Sequence, residues 1–186
     1  MALKLFTAPS VEPISLAEAK LHLRVDIDDD DDLISSLITT VRIYAESITN
    51  RALIQQTWDY FADAVPASDR IVVPLPPLIS VTGLYYTPYG AGESTLSSAY
   101  YTVDTNSTPG RVVLNSGYAW PGDTLAVANG FRMRFVAGYG AAGSNVPQAI
   151  RQAMLLLIGY YYENREAGGS LRAVDMLLWN YRIMEF

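Results

Sequence analysis

The chain has 186 residues, half of them hydrophobic, enough to bury a core of its own as one domain that carries an inserted subdomain. Its formal charge of −6, from 13 Lys and Arg against 19 Asp and Glu, argues against a protein that grips nucleic-acid phosphates, and the absence of cysteine removes disulfides, thiolate ligands and cysteine nucleophiles. The longest strongly apolar run, 153–159, is about a third of the roughly 20 residues a spanning helix needs, so neither a membrane segment nor a secretion signal is expected.

Residues 1–10 read as an extended arm. Ser15-Leu16-Ala17-Glu18 then has the form of a capping box, in which the Ser15 hydroxyl accepts the third helical amide and Glu18 accepts the amide of Ser15. It opens a short helix through Leu23. Five consecutive aspartates, Asp28 to Asp32, precede Leu33, Ile34, Leu37, Ile38, Val41, Tyr44, Ala45 and Ile48, whose helical period defines a second helix from Asp32 to Asn50. Carboxylates at that end favour the macrodipole and are expected to accept free amides. A calcium loop counted from Asp28 needs glycine and glutamate where Leu33 and Thr39 stand, so the metal reading fails on its pattern.

From Gln55 the period changes to two. Strands are predicted around 55–62, 71–73, 79–86, 100–103, 111–114 and 131–136, at the spacing of an antiparallel sheet. Pro74, Pro76 and Pro77 confine the second of these to an edge. Trp120 is expected to cover one end of the sheet. Phe131, Met133 and Phe135 alternate with Arg132 and Arg134, one face apolar and the other cationic. The loop 138–143 is rich in glycine but has neither P-loop nor dinucleotide spacing.

A third helix is predicted over 147–166, capped by Asn145 and with Pro147 in its first turn. Ile150, Ala153, Met154, Leu157, Ile158 and Tyr161 form its stripe, which Leu155, Leu156 and Tyr160 widen almost to the full circumference. Such a helix needs cover from other helices or from neighbouring subunits. A shorter amphipathic helix follows over 173–183, with Trp179 a candidate contact for another subunit. This tail has two readings, folding back on the first two helices or rearranging when a partner arrives.

Catalytic chemistry is sparse. His22 is the sole histidine, lies between two leucines and has no positioned nucleophile beside it in sequence. One histidine without cysteine is a poor zinc set. Arg24, Arg42, Arg51, Arg151 and Arg165 lie on or near helices also supplied with acids, and pairing within or between subunits is expected of them. No cofactor, metal site or enzymatic activity is expected.

Taken in order, the motifs Pro13-Ile14-Ser15-Leu16-Ala17-Glu18-Ala19-Lys20-Leu21-His22-Leu23-Arg24, the Asp run, and 44–58 from Tyr44 to Trp58 resemble the head-tail connector proteins of long-tailed bacteriophages and prophages. Leu75-Pro76-Pro77-Leu78-Ile79-Ser80-Val81, Phe135-Val136-Ala137-Gly138-Tyr139-Gly140, Val146-Pro147-Gln148-Ala149-Ile150 and Tyr161-Tyr162-Glu163-Asn164-Arg165-Glu166 extend the resemblance over nearly the whole chain. It implies an adaptor in the virion neck: a homo-oligomeric, dodecameric ring beneath the portal protein that extends the DNA channel toward a stopper or tail-completion protein. DNA passes through such a ring without sequence-specific binding.

The expected fold is therefore α+β, an antiparallel helical bundle within a single connector domain, 1–186, bearing a β-rich insertion at 55–136. By the same resemblance, 171–186 is a portal-docking tail with Leu171, Val174, Leu178, Trp179, Tyr181 and Phe186 as candidate contacts. Arg42, Leu155, Leu156, Tyr160 and Arg165 are candidate intersubunit contacts. The alternatives are a tail-completion or other phage structural ring protein and, from a different class, a metal-dependent hydrolase using Asp28 to Asp32.

Overall fold

The computed structural model describes residues 2–164 and 172–184. Its fold is α+β, with four α-helices and eight strands, and the chain divides into two compact units: residues 1–9 with 55–138, and residues 10–54 with 139–186.

The helical unit contains α1 (Leu16–Leu23), α2 (Asp31–Thr49), α3 (Gln148–Glu163) and α4 (Arg172–Trp179). The capping box forms as its sequence requires: Glu18 N donates to Ser15 Oγ at 3.2 Å and Ser15 N to Glu18 Oε2 at 3.0 Å. Arg24 and Asn50 end α1 and α2 in the left-handed region, where the turned-back amides reach carbonyls of the last turn. Ile34, Ile38, Val41 and Ala45 from α2 and Ile150, Ala153, Met154, Leu157 and Ile158 from α3 are buried in one cluster with Ile14, Leu53, Val174 and Leu178. At about 25 cal/mol per Å² of apolar area, this cluster is the main source of stability in the unit.

Several helix boundaries differ from the sequence reading: α3 ends at Glu163, short of the expected Glu166. Asn145 does not cap α3. It ends a short 3₁₀ turn (Gly143–Asn145), its Oδ1 accepts the amide of Ala142, and Pro147, extended at ψ 136°, is the cap residue. The aspartates do not cap α2 either: Asp30 is the cap residue but makes no side-chain cap bond. Finally α4 stops at Trp179, four residues short of the expected end at Ile183. Beyond it the chain is held from outside the helix, since Arg51 Nε donates to Tyr181 O, Asn50 Nδ2 to Ile183 O, and Ile183 N to Thr49 O at 2.9 Å.

The β-rich unit holds two antiparallel sheets where one was expected. The larger has the order β1-β2-β8-β4-β5, comprising β1 (Ala2–Thr7), β2 (Gln56–Ala62), β8 (Phe131–Ala137), β4 (Leu78–Tyr86) and β5 (Ser94–Thr95). The smaller has the order β3-β7-β6, from β3 (Arg70–Val72), β7 (Arg111–Leu114) and β6 (Tyr101–Asp104). The arm expected at residues 1–10 is thus the edge strand of the large sheet, in register with β2 from Ala2↔Phe61 to Leu5↔Trp58. β3 is an edge strand, as the prolines after it demand.

β8 lies in the middle of the large sheet and alternates strictly: Phe131, Met133, Phe135 and Ala137 are buried, and Arg132, Arg134 and Val136 are half-buried on the other face. Two register shifts interrupt β4, one between Leu78 and Ser80 and one between Val81 and Gly83, bending the strand. A side chain at Gly83 would put its Cβ 2.8 Å from the Tyr85 hydroxyl, so the Tyr85 ring would have to move to admit it. Trp120 covers one end of the sheet edge-on to Phe131 and donates to Ser68 O.

Candidate docking and assembly surfaces

The tail is where the sequence placed the partner contacts, and burial divides its residues. Val174 and Leu178, four apart on α4, are buried in the core of the helical unit and anchor the helix there. Turned away from that stripe are Met176, 69% exposed, Trp179, 63% exposed, and, past the helix, Met184. Tyr181 is half-buried against the core, and its carbonyl is held by Arg51. Leu171 and Phe186 lie outside the described residues, as does Arg165.

On α3, Leu155 and Leu156 are half-buried against the edge of the core, and Tyr160 stacks edge-on against Tyr161. The helix is therefore covered more fully within its own protomer than its apolar circumference suggested. Arg42 is engaged inside the protomer: Nε donates to Glu12 Oε2 at 2.7 Å and Nη1 to Glu46 Oε2 at 2.8 Å. Arg151 likewise holds Pro13 O and Glu18, tying the start of α3 to the start of α1.

The acidic run turns out to be a junction. Lys20 Nζ donates to both Asp28 and Asp31 at 2.7 Å, joining the end of α1 to the start of α2. Tyr162 donates to Asp30 Oδ2 at 2.5 Å, fixing the end of α3 to the same corner. Bonding to Lys20 holds the Asp28 carboxyl below the usual range and raises the Lys20 ammonium. His22 is exposed and would lie 3.6 Å from a Cβ at Gly159. No group of three or more metal-ligating side chains gathers among the described residues.

The cationic face of the large sheet is equally occupied. Arg134 grips Asp59 with both prongs, and Arg132 reaches Asp59 and Glu93. Arg132 also lies over the Tyr85 ring at 4.0 Å and Arg134 over the Phe6 ring at 3.4 Å. Hydrogen bonding to Arg134 lowers the Asp59 pKa against the opposing effect of its burial. A cleft of about 290 Å³ between residues 11–16 and α2 is walled mainly by Val11, Ile14, Leu16 and Ile38, and its one carboxylate, Glu12, is already bonded to Arg42 and Thr39.

The helices are tied at their corners by ion pairs, and Lys20, Arg42, Arg132, Arg134 and Arg151 are committed to acids of the same chain. A family model described as phage gp6-like head-tail connector protein matches residues 13–107, and the chain belongs to that family. It is a structural component of the head-tail interface of phage-type particles.

The structure is similar to a chain from the neck of an empty GTA particle computed with C6 symmetry, at TM-score 0.86 and 25% identity, covering 100% of this chain and 97% of that one. A chain from the virion of a native gene transfer agent particle matches at TM-score 0.85, and one from the neck of a native GTA particle computed with C12 symmetry at 0.84. Both are 24% identical and have the same coverage. No curated protein matches the chain.

Proposed function

We propose that this chain is one protomer of a closed ring in the virion neck, twelvefold, seated beneath the portal protein and offering its far side to a stopper or tail-completion protein. The observation that carries the reading is the likeness, over 100% of this chain, to a chain of a particle neck computed with C6 symmetry at TM-score 0.86, together with a neck chain from a C12 reconstruction. A closed ring needs two different, complementary faces on each protomer and no self-complementary one. The negative net charge suits a channel wall that DNA slides past without being held.

Within the ring, the helical bundle is the body, 55–136 the β-rich insertion it carries, and 171–186 the portal-docking tail. Burial of Val174 and Leu178 supports a tail anchored at its base, with Trp179 and Met184 free to enter a partner. Leu155, Leu156 and Tyr160 would meet a neighbouring protomer at the exposed margin of α3. Arg42 would serve such a contact indirectly, by holding Glu12 and Glu46 in place.

The test is binding to portal-bearing particles followed by electron microscopy. The expected result is a ring at the portal vertex, lost or strongly weakened on deletion of 171–186 and weakened on Trp179→Ala. Full binding by the deletion variant would overturn the tail assignment, and absence of a ring at the vertex would overturn the reading as a whole.

A further inference from the structure

The large sheet ends in two unlike edges, β1 on one side and the short β5 on the other. β1 is the terminal strand, six residues long, and all of it is exposed; Leu3, Leu5 and Phe6 are 42%, 41% and 57% exposed. At about 3.3 Å per residue it offers about 20 Å of backbone edge. Edge strands are ordinarily blunted by proline, charge, bulges or very short length; β1 has no proline, a single charge, Lys4, and one irregularity, between Leu5 and Thr7, so Ala2–Leu5 is its regular stretch. On the other side β5 has two residues and pairs with β4 at Tyr85 and Tyr86, and Leu96 N just beyond it donates to Leu84 O. Among the described residues no strand lies beside the β4 backbone over 79–82 on that side; the register irregularities of β4 fall at Ile79 and Thr82, and Ile79, Ser80 and Thr82 are exposed.

We propose that these edges are the two halves of one contact between neighbouring copies of this chain, with β1 of one protomer lying along residues 79–82 of β4 in the next and continuing the sheet across the boundary. The inference rests on the ring reading above and names the contact that would close the ring. Strand polarity favours this occupant. β1, β2, β8 and β4 are antiparallel in succession, so β1 and β4 run in opposite directions. Head-to-tail repetition of the sheet therefore sets β1 antiparallel to β4 with no reversal of either.

The faces agree as well. The registers put Lys4, Asp59, Arg134 and Val136 on one face with Ser80, and Leu5, Trp58 and Phe135 on the other with Val81. Continuing the sheet sets Lys4 in the same polar layer as Ser80 and Leu5 in the same apolar layer as Val81. The contact joins two different patches, which is the heterologous arrangement a ring requires, whereas β1 against β1 would be isologous and stop at a dimer. β1 is already held on its own sheet by β2 and by Phe6 beneath Arg134, so it presents its edge without folding on arrival.

The absence of cysteine makes the test clean. Lys4→Cys and Ser80→Cys are both exposed substitutions, and side chains opposite one another across paired strands have Cβ atoms about 5 Å apart, close enough for a disulfide after small adjustment. Ala2→Cys with Ser80→Cys covers a two-residue change of register. After oxidation on portal-bearing particles, the expected result is a covalent dimer when the two single variants are mixed, none from either alone, and a ladder up to a closed covalent ring from a double variant. Rings seen by electron microscopy without any cross-link would overturn this contact and leave the ring reading standing. Cross-linking of Lys4→Cys with itself would identify a β1–β1 dyad and overturn the proposal. Absence of any oligomer on the particles would sink the ring reading and this contact together.

Discussion

Arg134 holds Asp59 in a two-pronged grip, Nε to Oδ1 at 2.8 Å and Nη2 to Oδ2 at 2.7 Å, across the β2–β8 ladder at the centre of the large sheet. Asp59 is 5% exposed and also accepts from Arg132 at 3.3 Å, while Glu93 takes the shorter bonds of Arg132. Asp59→Ala leaves both cations short of a partner. The expected loss is about 3 kcal/mol, the scale for removing one member of a buried pair, read as a lowered urea midpoint at unchanged m. Arg134→Lys keeps the charge but loses the fork, and is expected to cost about half as much.

The capping box predicts a smaller, local loss. Ser15→Ala removes the acceptor for Glu18 N and leaves Glu18 without its reciprocal side-chain partner. The expected cost is about 1 kcal/mol in denaturant unfolding. Bonding to the amide of Ser15, followed by Ser15 Oγ and Arg151, holds the Glu18 carboxyl below its usual 4.5. A depressed carboxylate stabilises the fold above its unfolded pKa and loses that contribution as pH falls through the folded value. The gap between wild type and Ser15→Ala should therefore be constant near neutrality and shrink below about pH 4. A gap that persists unchanged at pH 3 would assign the loss to the Glu18 N to Ser15 Oγ bond, which does not titrate, and none of it to the Glu18 carboxylate.

Tyr162 and Asp30 test whether the acidic run is a packing corner. The hydroxyl donates at 2.5 Å to a carboxylate at the start of α2, a bond to a charged acceptor. Tyr162→Phe is expected to cost about 1 to 2 kcal/mol. Asp30→Asn, which keeps an acceptor, is expected to cost less, and equal losses would mean that charge rather than the bond matters. Calcium should leave the thermal midpoint of both variants and of the parent unchanged, since no ligand set for it is assembled there.

What was legible in the sequence was local or periodic. Ser15 and Glu18 satisfy each other within one turn, and the alternation of Phe131, Met133 and Phe135 with Arg132 and Arg134 needs no distant partner to be read. The resemblance to connector proteins rested on such segments in order. What was missed depends on contacts far along the chain. Residues 2–7 become a strand only because β2, more than fifty residues later, pairs with them. The aspartates looked like amide caps, but Lys20 and Tyr162 take three of their carboxylates. α4 ends early because Asn50 and Arg51 capture the carbonyls beyond it, a competition that helix periodicity cannot express. For the candidate contacts, periodicity gave the amphipathic face of α4 but not its sides: Val174 and Leu178 turn inward and Trp179 outward.

The turn between β6 and β7 supplies a pH test free of the helical unit. Asp104 accepts from Ser107 Oγ at 2.6 Å, from Arg111 Nε at 2.9 Å, and from the amides of Asn106 and Ser107. These bonds, the Ser107 hydroxyl first, lower its pKa from the usual 3.8 to about 2. All of them favour the ionised form, so the sign is that of a depressed carboxylate: the contribution is complete above the unfolded pKa and lost as pH falls from about 4 toward 2. Asp104→Asn should therefore lower the thermal midpoint at pH 7 and lose its difference from the parent as the pH is taken to 2. NMR titration of the Asp104 carboxyl checks the cause directly, and a midpoint near 3.8 in the folded protein would show that the turn does not hold the charge. Ser107→Ala removes the largest lowering influence without touching the charge, and should move the Asp104 midpoint upward while Arg111 still holds it below the unfolded value.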